Sequence, residues 1–302
     1  MIAPLKPGDT IAICALARKV SISELEPAIS IFKEWGLKVV LGASLSLEFH
    51  QFAGTDEERL ADFQNLLDNP EVKAIISARG GYGTTRILDR IDFFTFKLNP
   101  KWLIGFSDIT ALLCQVHNFS IESIHATMPA LFAKPGAEPA IQSLRKILFG
   151  HYDPYTCLAH KLNRLGKAKG TLVGGNLSIL ITCLGTSSEI DTAGKVLFLE
   201  DLDEYLYHID RMMVQLDRAG KLKDLAGLVV GYMSDMKDNT IPFGKSAYEI
   251  IAEHAGKYNY PIAFGFPTGH EPENLALICG REVFLSVDST GTTLEYTSPL
   301  IN

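Results

Sequence analysis

The sequence lacks most of the features that announce a function by themselves. No apolar run approaches the ~18 residues of a membrane span. The apolar stretch that follows Pro7-Gly-Asp9 is only about six residues long, too short for the core of a secretion signal. Basic residues are outnumbered, 28 Lys and Arg against 35 Asp and Glu, for a net charge of −7. No Lys/Arg stripe runs along the chain, which argues against a nucleic-acid partner. Cysteine is scarce: Cys14, Cys114, Cys157, Cys183 and Cys279 are odd in number and widely spaced. They read as buried free thiols in a reducing compartment rather than as a disulfide framework. Internal repeats and low-complexity segments are missing too. The expectation is a cytoplasmic globular protein with no membrane partner.

Several motifs come close and fail. Gly105-Phe-Ser107-Asp-Ile109 is not the Gly-x-Ser-x-Gly of the common hydrolase elbow, because its last position is Ile. A dinucleotide fingerprint starting at Gly81 would need glycine where Arg86 stands. Gly244-Lys-Ser246 lacks the upstream glycine of a phosphate loop, since position 239 is Asn. His270-Glu-Pro-Glu-Asn274 ends in Asn where a zinc helix would carry a second His. Cys114 and His117 share a helix face, but no second pair completes a metal site, and packing is the simpler account.

What is present is an alternation of apolar strands and amphipathic helices. Strands are expected at 10–15, 38–41, 74–78 and 102–105. Ser21 with Glu24 and Thr55 with Glu58 have capping-box spacing and open two helices, the first stopped by Gly36. A third helix is expected over 84–91. This order predicts a parallel sheet covered on both faces. From 148 to 169 the pattern breaks into what reads as a polar connector, and the division is drawn near residue 155, give or take roughly ten residues. Beyond it, strands are expected at 196–199, 228–230, 262–264 and 283–287, helices near 206–218 and 245–256, and a hairpin turn at 289–292. The fold class is therefore α/β: an N-terminal doubly wound parallel-sheet domain (1–155) and a strand-rich α/β C-terminal domain (156–302).

Four segments could carry chemistry. Trp102 to Leu113 runs from strand to turn to apolar helix with Ser107 at the turn. Such a turn can thrust a hydroxyl out of a sheet and set the Asp108 amide at a helix start, where it could stabilise an oxyanion; a simple helix cap by Ser107 is the plainer alternative. Arg79-Gly-Gly-Tyr-Gly83 follows a strand, and its glycines let backbone amides approach an anion. Glu200 and Asp201 end an apolar strand, where a carboxylate could orient a histidine. His270 sits in a Gly/Pro-rich loop. Gly174-Gly-Asn176 reads as a second glycine turn with a packing role. The helix over 205–216 directs Ile209, Met212, Met213 and Leu216 to a core.

Taken in order, Pro7-Gly-Asp-Thr10, Gly54-Thr-Asp-Glu-Glu-Arg59, Arg79-Gly-Gly-Tyr-Gly83, Gly105-Phe-Ser-Asp-Ile-Thr110, Gly174-Gly-Asn176, Glu200-Asp201 and Gly269-His270 resemble the LD-carboxypeptidase family, which includes the microcin-immunity peptidases. The resemblance spans about Leu5 to Val287. It implies a Ser107–Glu200–His270 triad assembled at a domain junction. The oxyanion hole would use the amides of Asp108 and of Gly81 or the neighbouring Gly80. Arg79 is the candidate cation for the product carboxylate.

The resemblance also implies a muropeptide substrate, cleaved at the bond between a dibasic L-centre and a terminal D-alanine. No cofactor or metal is needed, and a homodimer is expected. Ala15-Leu-Ala-Arg-Lys19 and His125-Ala-Thr-Met128 depart from the family pattern, which leaves substrate preference open. Three alternatives stand beside this reading: a microcin-immunity-type peptidase acting on aminoacyl-nucleotide or acyl-sulfamoyl substrates, a catalytically silent muropeptide-binding module, and a metal-dependent carboxypeptidase.

Overall fold

A computed structural model describes residues 1–297; the last five positions of the expected C-terminal domain lie outside the described residues. The chain forms two compact units, residues 1–151 with 272–278, and residues 152–271 with 279–302. The first unit thus ends four residues before the expected division, and a short segment from late in the chain returns to it.

The first unit strings together β1 (Thr10–Cys14), α1 (Ile22–Glu34), β2 (Lys38–Leu41), α2 (Asp56–Asp68), β3 (Val72–Ser77), α3 (Thr84–Leu88), α4 (Phe94–Leu98), β4 (Trp102–Gly105), α5 (Thr110–His117), β5 (Ser123–His125) and α6 (Glu138–Leu148). Both helix starts follow from local chemistry. The Ser21 amide donates to Glu24 at 2.8 Å and the Thr55 amide to Glu58 at 2.8 Å, each closing a reciprocal capping box. Helix α1 buries Leu25, Ala28 and Phe32 and stops at Gly36, whose φ of 81° suits glycine. Helix α3 is shorter than the expected 84–91.

The sheet order is β11-β5-β4-β3-β1-β2, with β11 (Leu277–Cys279) supplied from the returning segment. Strands β1 to β5 pair in parallel. The order reverses between β1 and β3, and in open α/β sheets the crevice beyond the carboxyl ends at such a point is where ligands bind. The turns after β1, β3 and β4 all leave from that end.

The second unit contains β6 (Tyr155–Leu158), β7 (Gly166–Asn176), α7 (Leu177–Cys183), β8 (Val196–Leu202), α8 (Leu206–Arg218), β9 (Gly227–Ser234), α9 (Ala247–Ala255), β10 (Ile262–Phe264), β12 (Glu282–Val287) and β13 (Gly291–Tyr296). Its sheet runs β10-β9-β8-β7-β12-β13-β6. Strands β7 to β10 are parallel, and the β7, β12, β13 and β6 pairings are antiparallel. The hairpin expected around 289–292 is the β12–β13 turn. Helix α8 buries Ile209, Met212, Met213 and Leu216, as its spacing requires.

Two expectations are corrected here. The polar connector contains β6 and the first part of β7. Lys167 and Lys169 alternate with the more enclosed Ala168 and Gly170, and Lys169 pairs with Glu282 on β12 at 2.9 Å. This is a half-solvated antiparallel strand whose charges lie on its wet face. Gly174 and Gly175 are not a turn; they lie inside β7, in register with Phe198 and Leu199 of β8. A Cβ on Gly174 would come within 2.0 Å of the Phe198 carbonyl oxygen, so the glycine permits a close backbone approach. The cysteine reading also needs adjusting. None of the five cysteines is in a disulfide, and four are buried, but Cys157 on β6 is only partly buried.

Candidate active site

In the first unit, chemistry is prepared by backbone shape. Strand β4 delivers the chain to Phe106, and Ser107 then takes φ = 61°, a left-handed conformation that a serine holds only when its surroundings demand it. The helical turn that follows begins at Ser107 with Phe106 in the cap position, and no side-chain cap bond forms. The plainer helix-cap reading of Ser107 is therefore overturned, because the serine lies inside the turn. Gly80 explains the neighbouring glycine: a Cβ there would stand 3.1 Å from Ser107 Cβ and 3.3 Å from its Oγ. The loop after β3 thus passes directly over the hydroxyl.

Two buried side chains lock this loop to the turn. Asp108 is 1% exposed, and its carboxylate accepts the Thr84 amide at 2.9 Å, joining the residue after Ser107 to the start of α3. Burial pushes the Asp108 carboxyl upward from its usual range, and the Thr84 donor opposes that shift. Arg59, also 1% exposed, donates to the Leu16 carbonyl and, at 3.1 Å, to the Gly83 carbonyl, and it pairs with Asp56. A buried guanidinium with carbonyls on both sides fixes the turn after β1 against the Arg79–Gly83 loop. Neither role was read from the sequence. Their signals were present in the motifs Thr55-Asp-Glu-Glu-Arg59 and Ser107-Asp108, but carboxylate and guanidinium partners far apart in the chain cannot be paired by spacing.

Gly81 has φ = 117°, and a Cβ on it would run into the aliphatic part of Arg18, 2.2 Å from Cδ. Arg79 is half-exposed and donates to the Lys19 carbonyl at 3.4 Å. Both segments that depart from the family pattern border this region. Arg18 covers Gly81, and Met128 Cε lies 3.4 Å from a Gly80 Cβ. His125 is fully buried against Phe106, ring centroids 5.7 Å apart.

In the second unit, chemistry is prepared by side chains. His270 Nδ1 lies 2.6 Å from Glu200 Oε2, and Glu200 is fully buried. Glu200 lies near the end of β8, in register with Asn176 of β7, at the point where the register to β9 shifts between Leu199 and Asp201. Gly269, with φ = 122°, makes the approach possible: a Cβ there would sit 3.0 Å from Glu200 Cβ and 3.1 Å from Oε2. A ring whose Nδ1–H donates to a carboxylate keeps its basic lone pair on Nε2. Asp201 points elsewhere. Its carboxylate accepts Asn176 Nδ2 at 2.9 Å and the Ser178 amide and hydroxyl at 2.9 and 2.7 Å. Burial and the charge of Glu200 push it up to about 6 despite these donors. The Asn of Gly-Gly-Asn176 also caps α7, accepting the Ile179 amide at 3.2 Å.

The two family descriptions that match this chain are the LD-carboxypeptidase N-terminal domain, over residues 11–126, and the LD-carboxypeptidase C-terminal domain, over residues 169–285. The chain belongs to the LD-carboxypeptidase family. It is 37% identical to a probable murein peptide carboxypeptidase of Bacillus subtilis, over 96% of this chain and 93% of that protein. It is 24% identical to the microcin C7 self-immunity protein of Escherichia coli, over 97% and 94% of the two chains. A crystal structure of muramoyltetrapeptide carboxypeptidase from Oxalobacter formigenes matches the fold with a TM-score of 0.87 at 28% identity, covering 96% of this chain and 99% of that one. The chain is thus a peptidase of two-domain α/β architecture. Among the described residues, no helix is long and apolar enough to cross a membrane, and no three His, Cys, Asp or Glu residues cluster as a metal site would require.

Proposed function

We propose that the protein is a serine carboxypeptidase that hydrolyses the L,D-peptide bond releasing terminal D-alanine from peptidoglycan tetrapeptides. The observation that carries this reading is the 2.6 Å contact between His270 Nδ1 and the buried Glu200. A carboxylate held there fixes the imidazole tautomer and stabilises the imidazolium that forms when Nε2 takes a proton. The left-handed Ser107 and the murein-peptide carboxypeptidases among the relatives support it further.

In this scheme His270 removes the proton of Ser107, and Ser107 Oγ attacks the carbonyl of the penultimate residue. The oxyanion is received by the amides of Asp108 and of Gly81, with Gly80 adjacent. His270 then protonates the departing D-alanine nitrogen, the acyl-serine forms, and a water activated by the same imidazole hydrolyses it. Arg79 is assigned to the substrate's terminal carboxylate. The reading carries no cofactor. It places the enzyme in the cytoplasm as a homodimer acting in murein recycling, and sedimentation of the purified chain tests the dimer.

The test is mass spectrometry of disaccharide tetrapeptide incubated with wild-type protein and with Ser107→Ala. Wild type should yield tripeptide and free D-alanine, and the variant should be slower by on the order of 10⁴–10⁶. Tripeptide formation by Ser107→Ala at the wild-type rate would overturn the mechanism. A second reading, a microcin-immunity-type peptidase, draws on the self-immunity relative. Release of the amino acid from an aminoacyl-sulfamoyl nucleotide, with the tetrapeptide left intact, would favour it.

A further inference from the structure

Beside His270 the second unit contains an open cavity of about 350 Å³. Its walls are largely apolar, formed by Leu206, Tyr232, Met233 and Met236, and Glu271 contributes a carboxylate. Ser234 Oγ donates to Glu271 Oε1 at 2.6 Å, which gives that carboxylate a fixed direction. No Lys, Arg or His lines the cavity, and Glu271 is in no ion pair among the described residues. Nearby lysines are engaged elsewhere, Lys237 with Asp203 at 2.7 Å and Lys245 with Glu253. The cavity is tied to the His270 loop by more than sequence adjacency. The Tyr232 amide donates to the Thr268 carbonyl at 2.8 Å, and Tyr232 Cβ lies 3.4 Å from a Cβ built on Gly269.

An apolar wall with one uncompensated carboxylate is complementary to an aliphatic stem ending in a cation. Of the two residues flanking a scissile L,D-bond, the departing D-alanine offers a methyl group and its own carboxylate. The methyl leaves most of such a cavity empty, and the carboxylate is repelled by Glu271. The residue on the acyl side is the one whose side chain fits.

We propose that this cavity is the acyl-side specificity pocket, and that Glu271, held by Ser234, receives the side-chain ammonium of the residue whose carbonyl is attacked. This inference rests on the carboxypeptidase reading above and adds the group that selects a basic residue next to D-alanine. Glu271 touches the substrate's side chain and takes no part in bond breaking.

The test compares L-Ala-γ-D-Glu-L-Lys-D-Ala with the same peptide carrying L-norleucine in place of lysine, which keeps the stem and removes the charge. Wild type should favour the lysine peptide in kcat/KM. Glu271→Gln should lower kcat/KM for the lysine peptide by roughly tenfold or more, the effect of removing a charged hydrogen-bond partner. The loss should fall on KM with kcat held, and the norleucine peptide should be unaffected. Ser234→Ala, which frees the carboxylate without removing it, should fall between the two. A lysine-to-norleucine preference that survives Glu271→Gln unchanged overturns the assignment. Calorimetry with the corresponding tripeptides, which lack the scissile bond, reads the same preference without turnover. A wild type that binds the lysine tripeptide more tightly through Glu271 but releases no D-alanine would sink the hydrolytic reading and leave the pocket standing.

Discussion

The Ser107 region and the His270 region prepare chemistry by opposite means. Around Ser107 the working parts are backbone: a serine at φ = 61°, a glycine whose Cβ would crowd the serine, the Thr84 amide held by Asp108 and the Gly83 carbonyl held by Arg59. Around His270 they are side chains: a fully buried carboxylate on an imidazole, with a second buried carboxyl next in sequence. The first arrangement stores its cost as conformational strain, and the second stores it as desolvated charge. The contrast teaches where each half should be vulnerable. Backbone sites fail when a side chain is added, and electrostatic sites fail when a charge is altered.

Within this contrast, altering charge alone should cost most. Glu200→Gln retains shape and burial but offers the imidazole an amide in place of a carboxylate. It should lower kcat on the tetrapeptide by on the order of 10³–10⁴ with the protein still folded. Steady-state kinetics checks this, and a loss of less than tenfold would break the electrostatic half of the comparison.

Paired glycine substitutions sharpen the same contrast. Gly269→Ala forces a Cβ against Glu200 at a left-handed φ and should destabilise the protein by about 2–3 kcal/mol, read by denaturant unfolding. Gly80→Ala meets only side-chain atoms, those of Ser107 and the flexible end of Met128. It should leave the unfolding midpoint nearly unchanged while lowering turnover about tenfold by displacing the hydroxyl, a misplacement effect. Equal stability losses at both positions would erase the distinction.

A pH dependence is expected around the buried Asp201 of the second unit. Asp201 holds its proton up to about pH 6 in the folded state, against 3.8 for an ordinary carboxyl. Between those values the folded state binds more protons than the unfolded state, so stability falls as pH rises through the window and levels off above it. The contribution is on the order of 3 kcal/mol, from roughly two pH units at about 1.4 kcal/mol each. Denaturant unfolding at pH 4 and pH 7 should show this loss in wild type and a smaller one in Asp201→Asn. Identical slopes would mean that the carboxyl titrates normally.

Legibility in the sequence follows the same division. The capping boxes at Ser21 and Thr55, the strands β2 and β4, and the helix face of Ile209, Met212, Met213 and Leu216 depend on neighbours within a turn or two, and they were read with correct identity. Strand β6 and the start of β7 were missed, because a lysine-rich strand with one wet face has the composition of a loop until its partner β12 is known. The Gly174-Gly175 pair was misread as a turn for a related reason. A glycine needed to let two strands approach closely is indistinguishable in sequence from one needed to bend the chain. Ser107 was placed at its turn correctly, but the choice between cap and exposed hydroxyl needed a backbone angle.

The α/β alternation, the order of the motifs and the residue types available for chemistry are all legible in the chain before it folds. Periodicity and capping are local properties, and side-chain identity travels with the chain. It took the folded molecule to bring Glu200 to His270 over a separation of seventy positions, to clamp the loop over Ser107 with Asp108 and Arg59, and to set Glu271 at a cavity where no described residue supplies a cation. Each of these depends on a hydrogen bond or an excluded volume between distant segments. Such contacts come into being when the sheets assemble, and no spacing along the chain encodes them.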